Sequence, residues 1–334
     1  MEKPLLTVLM PVYNGEVFLR EAIDSVLSQT YSNFVFLIIN DGSTDQTESI
    51  VLSYDDDRIR YVKNEENLKL IKTLNKGLSL VETKYVARMD ADDICEPMRF
   101  ERQIEYMEAN PQVGLLGTWC RTIGDKMPSV IRYEASHEQI CFKQLYQIQI
   151  VHPSCIMRTS VLKSMDVWYD NDFLHAEDYE LFTRMSHLTR LANIPEVLHL
   201  YRKHENAVSV LHNKEQEENS YKVIRREFGF IGLSVNDMQI ESFAVLNYQD
   251  YSKIKLSAAE LKMLLEKMIF ANKTTGYFEE KFLYEKLSGL WFSYCYETHM
   301  PISMYNNSSL ARQISMARKL KWFVKNCLYK VKGR

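Results

Sequence analysis

Asp90, Asp92 and Asp93 place three carboxylates within four residues, directly after the strand-like stretch Tyr85-Val86-Ala87-Arg88-Met89. Like charges so close repel, and a cation among them removes that cost. Hard oxygen donors of this kind suit Mg²⁺ or Mn²⁺. An ion held by few protein ligands completes its shell with water and substrate phosphates. The plainer alternative is an acidic turn that caps the next helix. Other polar residues also follow apolar runs: Tyr13 and Asn14 come after Leu5–Met10, and Asp41 after Phe34–Ile39.

The elements that must carry these residues can be read from periodicity. Leu5–Met10 reads as a first strand bounded by Pro11. Phe18, Leu19, Ala22, Ile23, Val26 and Leu27 recur at helical spacing and predict a helix over about Glu16–Gln29. Phe34–Ile39 is a short continuous apolar run, typical of a strand covered on both faces. Ser43, Thr44 or Asp45 then offers an N-cap to a second helix. Ile59–Val62 predicts a third strand, Leu70–Leu80 a third helix and Tyr85–Met89 a fourth strand. This alternation predicts an α/β fold with a mostly parallel central sheet and helices on both faces. Ligands of such sheets sit beyond the carboxyl ends of the strands. Tyr13, Asn14, Asp41 and Asp90–Asp93 should therefore meet on one rim.

Further along, helices are predicted over Arg99–Asn110 and Ala176–Leu188, and a glycine-punctuated strand over Val113–Trp119. After Glu215 the pattern becomes helical, rich in tyrosine and poor in glycine. A boundary near 212–218 predicts an α/β domain over 1–214 and a helical C-terminal region over 215–334. The tail 310–334 carries Arg312, Arg318, Lys319, Lys321, Lys325, Lys330, Lys332 and Arg334 and no acidic residue. Ile314, Trp322, Phe323, Val324, Leu328, Tyr329 and Val331 are interleaved with them. A basic amphipathic helix of this kind can lie on an anionic membrane. The alternative is a basic surface helix packed on the protein.

Taken together, Pro11-Val12-Tyr13-Asn14, Asn40–Asp45 and Arg88–Asp93 resemble the nucleotide-sugar-binding motifs of family 2 glycosyltransferases of the GT-A fold. Pro97–Glu101, Val113–Trp119, His152-Pro153-Ser154, His175–Asp178 and Tyr201–His204 look like the bacterial, surface-polysaccharide members. The resemblance covers about residues 4–210. It implies that Tyr13 stacks on the nucleotide base, with Pro11 and Asn14 in the same motif, and that Asp41 accepts from the base, usually uracil in this family. It implies that Asp90 and Asp92 hold the metal and ribose, with His204 completing the metal site, and that Asp178 is the general base. Lys72 lies in the segment that looks like the family's third nucleotide-pocket motif, where many members carry glycine at the position of Lys69. Trp119, His152 and Glu177 are candidates for the donor sugar or the acceptor.

Each residue has a plainer reading. Asp41 could cap a helix, Asp178 could be a helix N-terminal acid, and His204 a loop histidine. Tyr13 could be an ordinary aromatic, and Trp119 and His152 could be structural. The implied activity is transfer from a UDP-sugar, dependent on Mn²⁺ or Mg²⁺. It inverts the anomeric centre and delivers the sugar to a lipid-linked glycan. Two other classes stay open. A nucleotidyltransferase should carry a glycine-rich, basic phosphate loop after the first strand, whereas Pro11–Phe18 has one glycine and no lysine. A non-catalytic binding module would not need the acids at 90, 92 and 178.

Composition narrows the classes. The chain has 334 residues with 41 basic and 44 acidic side chains, a net charge of -3, so a dedicated nucleic-acid binder is not expected. Its 46% apolar content can support a packed core rather than disorder. The six cysteines, at 95, 120, 141, 155, 295 and 327, form no CxxC pair, which predicts buried free thiols rather than a zinc or disulfide framework. No apolar run is long enough to span a bilayer, and the N-terminus lacks a signal-peptide layout. The expected location is the cytoplasm, at the inner face of the membrane.

Overall fold

The computed structural model describes residues 3–204, 213–312 and 315–331. Strand and helix alternate first as β1 (Leu6–Val12), α1 (Leu19–Leu27), β2 (Phe34–Asn40), α2 (Thr47–Leu52), β3 (Ile59–Lys63), α3 (Leu70–Ser79) and β4 (Tyr85–Arg88). There follow β5 (Ile94–Cys95), α4 (Arg99–Ala109), β6 (Val113–Ile123), β7 (Val130–Ile131) and α5 (His137–Lys143). Then come β8 (Ile156–Arg158), α6 (Thr159–Lys163), α7 (Glu177–Ser186) and β9 (Arg190–Arg202). Successive strand residues point to opposite faces. Leu6, Val8 and Met10 of β1 and Phe34, Phe36 and Ile38 of β2 accordingly join one core with α1, α2 and α4. Leu9, Leu37 and Ile39 join a second core with α3, α6 and α7 on the other face. Continuous apolar runs are what a sheet covered on both sides requires.

The strand order is β3-β2-β1-β4-β8-β6-β9-β5, with β7 paired to β6. The mostly parallel order holds for β3-β2-β1-β4. It gives way where β8 enters antiparallel to both β4 and β6, and parallel pairing returns only between β6 and β9. β8 has three residues, too few for a periodicity. β9 was also missing from the sequence reading, because Pro195 interrupts its apolar pattern. The strand accommodates it by bulging: Ile194 pairs with Thr118 and Val197 with Trp119, so Pro195 and Glu196 lie outside the ladder.

Short β5 has the largest consequence for the site. It pairs Ile94 with Leu200 and Cys95 with His199, at the far end of β9. The acidic loop after β4 is thereby drawn between the sheet centre and the end of β9. Gly42, in the loop after β2, adopts φ 71°, and a Cβ there would lie 2.7 Å from the backbone carbon of Glu66. Glycine thus lets the β2 and β3 loops pass against each other.

The chain forms two compact units, Met1–Gln144 with Ile148–Ser220, and Leu145–Gln147 with Tyr221–Arg334. The division falls inside the helix Asn213–Ile231. The second unit is helical, with Asp237–Tyr248, Ala258–Thr275, Glu280–Glu297, Ile302–Asn306 and Met316–Val331. Capping boxes start two of these helices, Asn236 with Gln239 and Ser257 with Glu260. The five described cysteines, at 95, 120, 141, 155 and 295, are buried and in no disulfide. Cys327, Ile314, Lys332 and Arg334, and the side chains of Leu328 to Val331, lie outside what is described.

Candidate active site

The loops after β1, β2 and β4 converge. Pro11, Tyr13, Asn14, Asp41, Asn67, Lys69, Thr73, Asp90, Asp92 and His204 line one cavity of about 670 Å³. Tyr13 stands at its mouth, 49% exposed. Asn14 joins two loops: its backbone N–H donates to Ser43 Oγ at 2.9 Å, and its Oδ1 accepts from Thr44 N–H at 2.9 Å. Asp41 is buried, and its Oδ1 accepts from Asn64 Nδ2 at 2.7 Å and from Leu68 N–H at 2.9 Å. These bonds tie it to the β3 loop rather than to α2, whose first turn is served by Asp45 Oδ1 accepting from Thr47 N–H. Lys69 is the non-glycine residue at the family's glycine position. It keeps the path glycine would take, with φ 71° and ψ 163°. That region costs an L-residue of order 1–3 kcal/mol.

In the acidic loop, Asp90, Asp92 and Asp93 bring carboxylate oxygens within 4.8 Å of one another. Asp92 Oδ2 lies 2.8 Å from His204 Nε2, and Asp90 pairs with the buried Arg88. Enclosure at the cleft floor pushes the Asp90 carboxyl up, Arg88 opposes this, and the Asp92 charge adds to it. Asp93 is differently employed, since its Oδ2 contacts His199 Nε2 at 2.7 Å and its Oδ1 accepts from Arg202 N–H at 2.7 Å. Carboxylate and imidazole donors at 90, 92 and 204 form a set that fits a divalent cation of the Mn²⁺ or Mg²⁺ type.

Asp90 and Asp92 also line an adjoining cavity of about 360 Å³, together with Arg88, His152, Glu177 and Asp178. α7 begins at this wall and presents Glu177 and Asp178 from its first turn. Loss of solvation raises Asp178 to about 6, against a hydrogen bond from Tyr179 N–H that pulls it down. Burial and then the charge of Asp178 raise Glu177 to about 7. His152 is buried, meets Tyr169 Oη at 2.7 Å, and is held well below the usual histidine range by burial and by Arg88.

Two candidates lie apart. Lys72 is exposed on α3 and is not among the residues lining either cavity, since the helix turns it outward while Lys69 and Thr73 face inward. Lys76 of the same helix reaches Asn64 Oδ1 at 2.6 Å. Trp119 also lines neither cavity; its indole N–H donates to the Tyr133 carbonyl at 3.0 Å. Sequence reasoning gave Arg88 no role of its own and missed Asn64 and His199, the buried partner of Asp93. A polar residue inside an otherwise apolar strand was the available signal for Arg88.

The model of the family described as "Glycosyl transferase family 2" matches residues 7–165. A protein of Haemophilus influenzae described as an uncharacterized glycosyltransferase is 34% identical over 282 residues, covering 79% of this chain and 87% of that one. An uncharacterized glycosyltransferase of Methanocaldococcus jannaschii is 35% identical over 193 residues, 55% of this chain and 65% of its own. Among solved structures, S. aureus TarS 1-349 in complex with UDP-GlcNAc has a TM-score of 0.57 at 20% identity, over 90% of this chain and 93% of that one. The Pyrobaculum calidifontis mannosyltransferase in complex with GDP-Man and Mn²⁺ has a TM-score of 0.50 at 14% identity, over 99% and 82%. These two share the GT-A fold with this chain. The family match and the extent of the Haemophilus alignment agree with the motifs, and the chain belongs to glycosyltransferase family 2.

Proposed function

We propose that this glycosyltransferase moves a sugar from a UDP-sugar onto a hydroxyl of a lipid-linked glycan, with inversion, during synthesis of a surface polysaccharide. One observation carries the reading: Asp90 and Asp92 belong to both cavities, one holding Tyr13 and Asp41 and the other Asp178. In this reading a nucleotide fills the first, the reacting sugar and acceptor meet in the second, and the diphosphate lies between them. TarS, crystallised with UDP-GlcNAc, has the same fold and supports a UDP donor.

Asp41 Oδ1 is already committed to Asn64 and Leu68, which leaves Oδ2 without a partner among the described residues and able to accept from the base. Asp178 takes the proton from the acceptor hydroxyl as its oxygen bonds to the anomeric carbon. The bond from that carbon to the diphosphate breaks, and UDP leaves with the electron pair. A divalent ion held by Asp90, Asp92 and His204 would stabilise the leaving diphosphate as a Lewis acid. The order of the two cavities also holds the reactants in line, which removes part of the entropic barrier.

A panel of UDP- and GDP-sugars assayed for Mn²⁺-dependent nucleotide release tests the proposal, with one UDP-sugar hydrolysed above the rest as the supporting result. Release of GDP alone would reassign the base, and no release from any donor would remove the reading. The pH dependence follows from Asp178, which works only as a carboxylate. With its pKa raised to about 6, turnover is half-lost near that pH and falls further in acid. A flat rate between pH 5 and 8 would reject Asp178 as the base.

The membrane part of the proposal rests on the helix Met316–Val331. Trp322 is buried, donates to the Met300 carbonyl at 3.1 Å, and packs edge-on to Phe292 with centroids 5.6 Å apart. Met316, Leu320, Phe323 and Val324 are exposed at helical spacing, with Arg318, Lys319 and Lys321 beside them. The helix thus packs through one side and leaves an apolar, cation-flanked side uncovered, the chemistry of an anionic lipid surface. No described helix is long and apolar enough to cross a membrane. The expected place of action is the inner face of the cytoplasmic membrane. Replacing both Leu320 and Phe323 with Asp should weaken co-sedimentation with phosphatidylglycerol vesicles by about tenfold or more. Equal pelleting of both proteins would defeat the assignment.

A further inference from the structure

Arg99 on α4 is fully buried, yet among the described residues no carboxylate touches it. An unpaired guanidinium in such a place is expensive, so its counter-charge must be found. Arg99 Nη1 lies 3.0 Å from His199 Nδ1, and His199 Nε2 lies 2.7 Å from Asp93 Oδ2. A guanidinium has only hydrogens to offer, so His199 Nδ1 accepts. The ring proton of the neutral imidazole then sits on Nε2 and is donated to Asp93. Arg99 is therefore joined to Asp93 through the imidazole between them.

The same guanidinium reaches the other end of the acidic loop. Arg99 Nη2 donates to the Arg88 carbonyl at 2.8 Å, and Arg99 Nε to Gln103 Oε1 at 3.2 Å. Gln103 in turn donates to the Ser154 carbonyl at 2.8 Å. Beyond Asp93, Arg202 closes the circuit: its backbone N–H donates to Asp93 Oδ1 at 2.7 Å, and its Nε to the Asp92 carbonyl at 2.6 Å. The Arg202 guanidinium stacks over Phe18 at 4.4 Å and pairs with Glu21 at 2.5 Å. Both ends of the segment 88–93 are thus held, by Arg99 and His199, which line neither cavity, and by Arg202 at the edge of the smaller one.

We infer that Arg99, His199 and Asp93 form a positioning clamp that presets the acidic loop, so that Asp90 and Asp92 meet a divalent cation without rearrangement. This rests on the reading of Asp90 and Asp92 as cation ligands. Asp93 is then an anchor rather than a third ligand, because both of its oxygens are already committed inward. Preorganisation of this kind acts through affinity, since a loop that must first be ordered gives up binding free energy. The clamp also makes the end of β9, which carries His204 two residues beyond Arg202, move as one body with the acidic loop.

Nitrogen-15 spectra of the histidine rings in the metal-free, full-length protein test the clamp directly. His199, assigned by its loss in a variant, should show the neutral Nε2–H tautomer; an Nδ1–H tautomer or an imidazolium would overturn the inference, because neither can accept from Arg99. Two variants then separate positioning from packing. In His199→Gln the amide nitrogen extends as far as Nε2 and still donates to Asp93; in His199→Asn the amide stops short. Calorimetry with Mn²⁺ and UDP should find Gln within about threefold of the natural protein and Asn weaker by about tenfold or more. Thermal melts run alongside. Equal Mn²⁺ affinity in all three proteins, or a loss in Gln as large as in Asn, would overturn the inference. Should neither variant fold, the tautomer decides. Natural protein that shows the Nε2–H tautomer but binds no Mn²⁺ would remove the cation reading of the site and leave the clamp geometry standing.

Discussion

Asp178→Asn should lower turnover by about two to four orders of magnitude while donor affinity stays within a few-fold. The substitution keeps side-chain volume and the hydrogen bond from Tyr179 N–H, so α7 keeps its start. What it removes is the carboxylate proposed to take the acceptor's proton. The proposed nucleotide contacts lie in the other cavity, around Tyr13 and Asp41, so binding and turnover should separate. Single-turnover transfer rates beside calorimetric UDP binding would read both quantities. Glu177 is the control: it neighbours Asp178 on the same wall and is also raised, to about 7. Normal turnover in Asp178→Asn together with loss in Glu177→Gln would transfer the role to the neighbour.

Asp92→Ala should remove metal-dependent nucleotide binding, with UDP affinity in Mn²⁺ falling by about a hundredfold or more toward its metal-free value. Asp92 contributes the carboxylate facing both cavities and the one that His204 contacts at 2.8 Å. It is only partly buried, and its main-chain carbonyl keeps the bond from Arg202 Nε after truncation, so the loop should survive the change. Calorimetry with and without Mn²⁺ isolates the effect. Equal Mn²⁺ enhancement in Asp92→Ala and in the natural protein would rule out the acidic loop as the cation site. The same substitution at Asp93 is a poorer probe, because it would leave the buried His199 without the carboxyl it contacts.

Most of the β3-β2-β1-β4 half of the sheet was legible because both of its faces are covered. A strand buried on two sides must be apolar throughout, so Phe34–Ile39 could be recognised without any partner in view. The helices α1 and α3 were legible for the complementary reason: each hides one stripe, so Leu19, Ile23 and Val26, or Ile71, Leu74 and Leu78, recur at helical spacing. β9 was not legible, since its pattern is broken by the Pro195–Glu196 bulge and by His199, which serves Asp93 rather than the core. Tyr13, Asp41 and the acidic loop announced themselves because they end apolar runs, where chain direction alone brings them to one rim. Lys72 misled because helical phase decides which lysine of α3 looks inward, and one residue turns the side chain by about 100°. The residue at the glycine position was informative in the opposite way. The path is dictated by the surrounding loop, and Lys69 bears the conformational cost.

The span between the acidic loop and β9 carries a consequence for how the molecule is made. Asp93 and its partner His199 are separated by 106 residues, and Asp92 and His204 by 112. A ribosome-bound chain therefore displays three neighbouring carboxylates well before their histidine and arginine neighbours have been synthesised. Such distant pairings close late, because loop entropy must be overcome first. The β1–β4 half can assemble as it emerges, whereas competence for chemistry arrives in one step when the strand ending at Arg202 docks. Truncations stopping short of that strand would lack His199, Arg202 and His204 and should be inert.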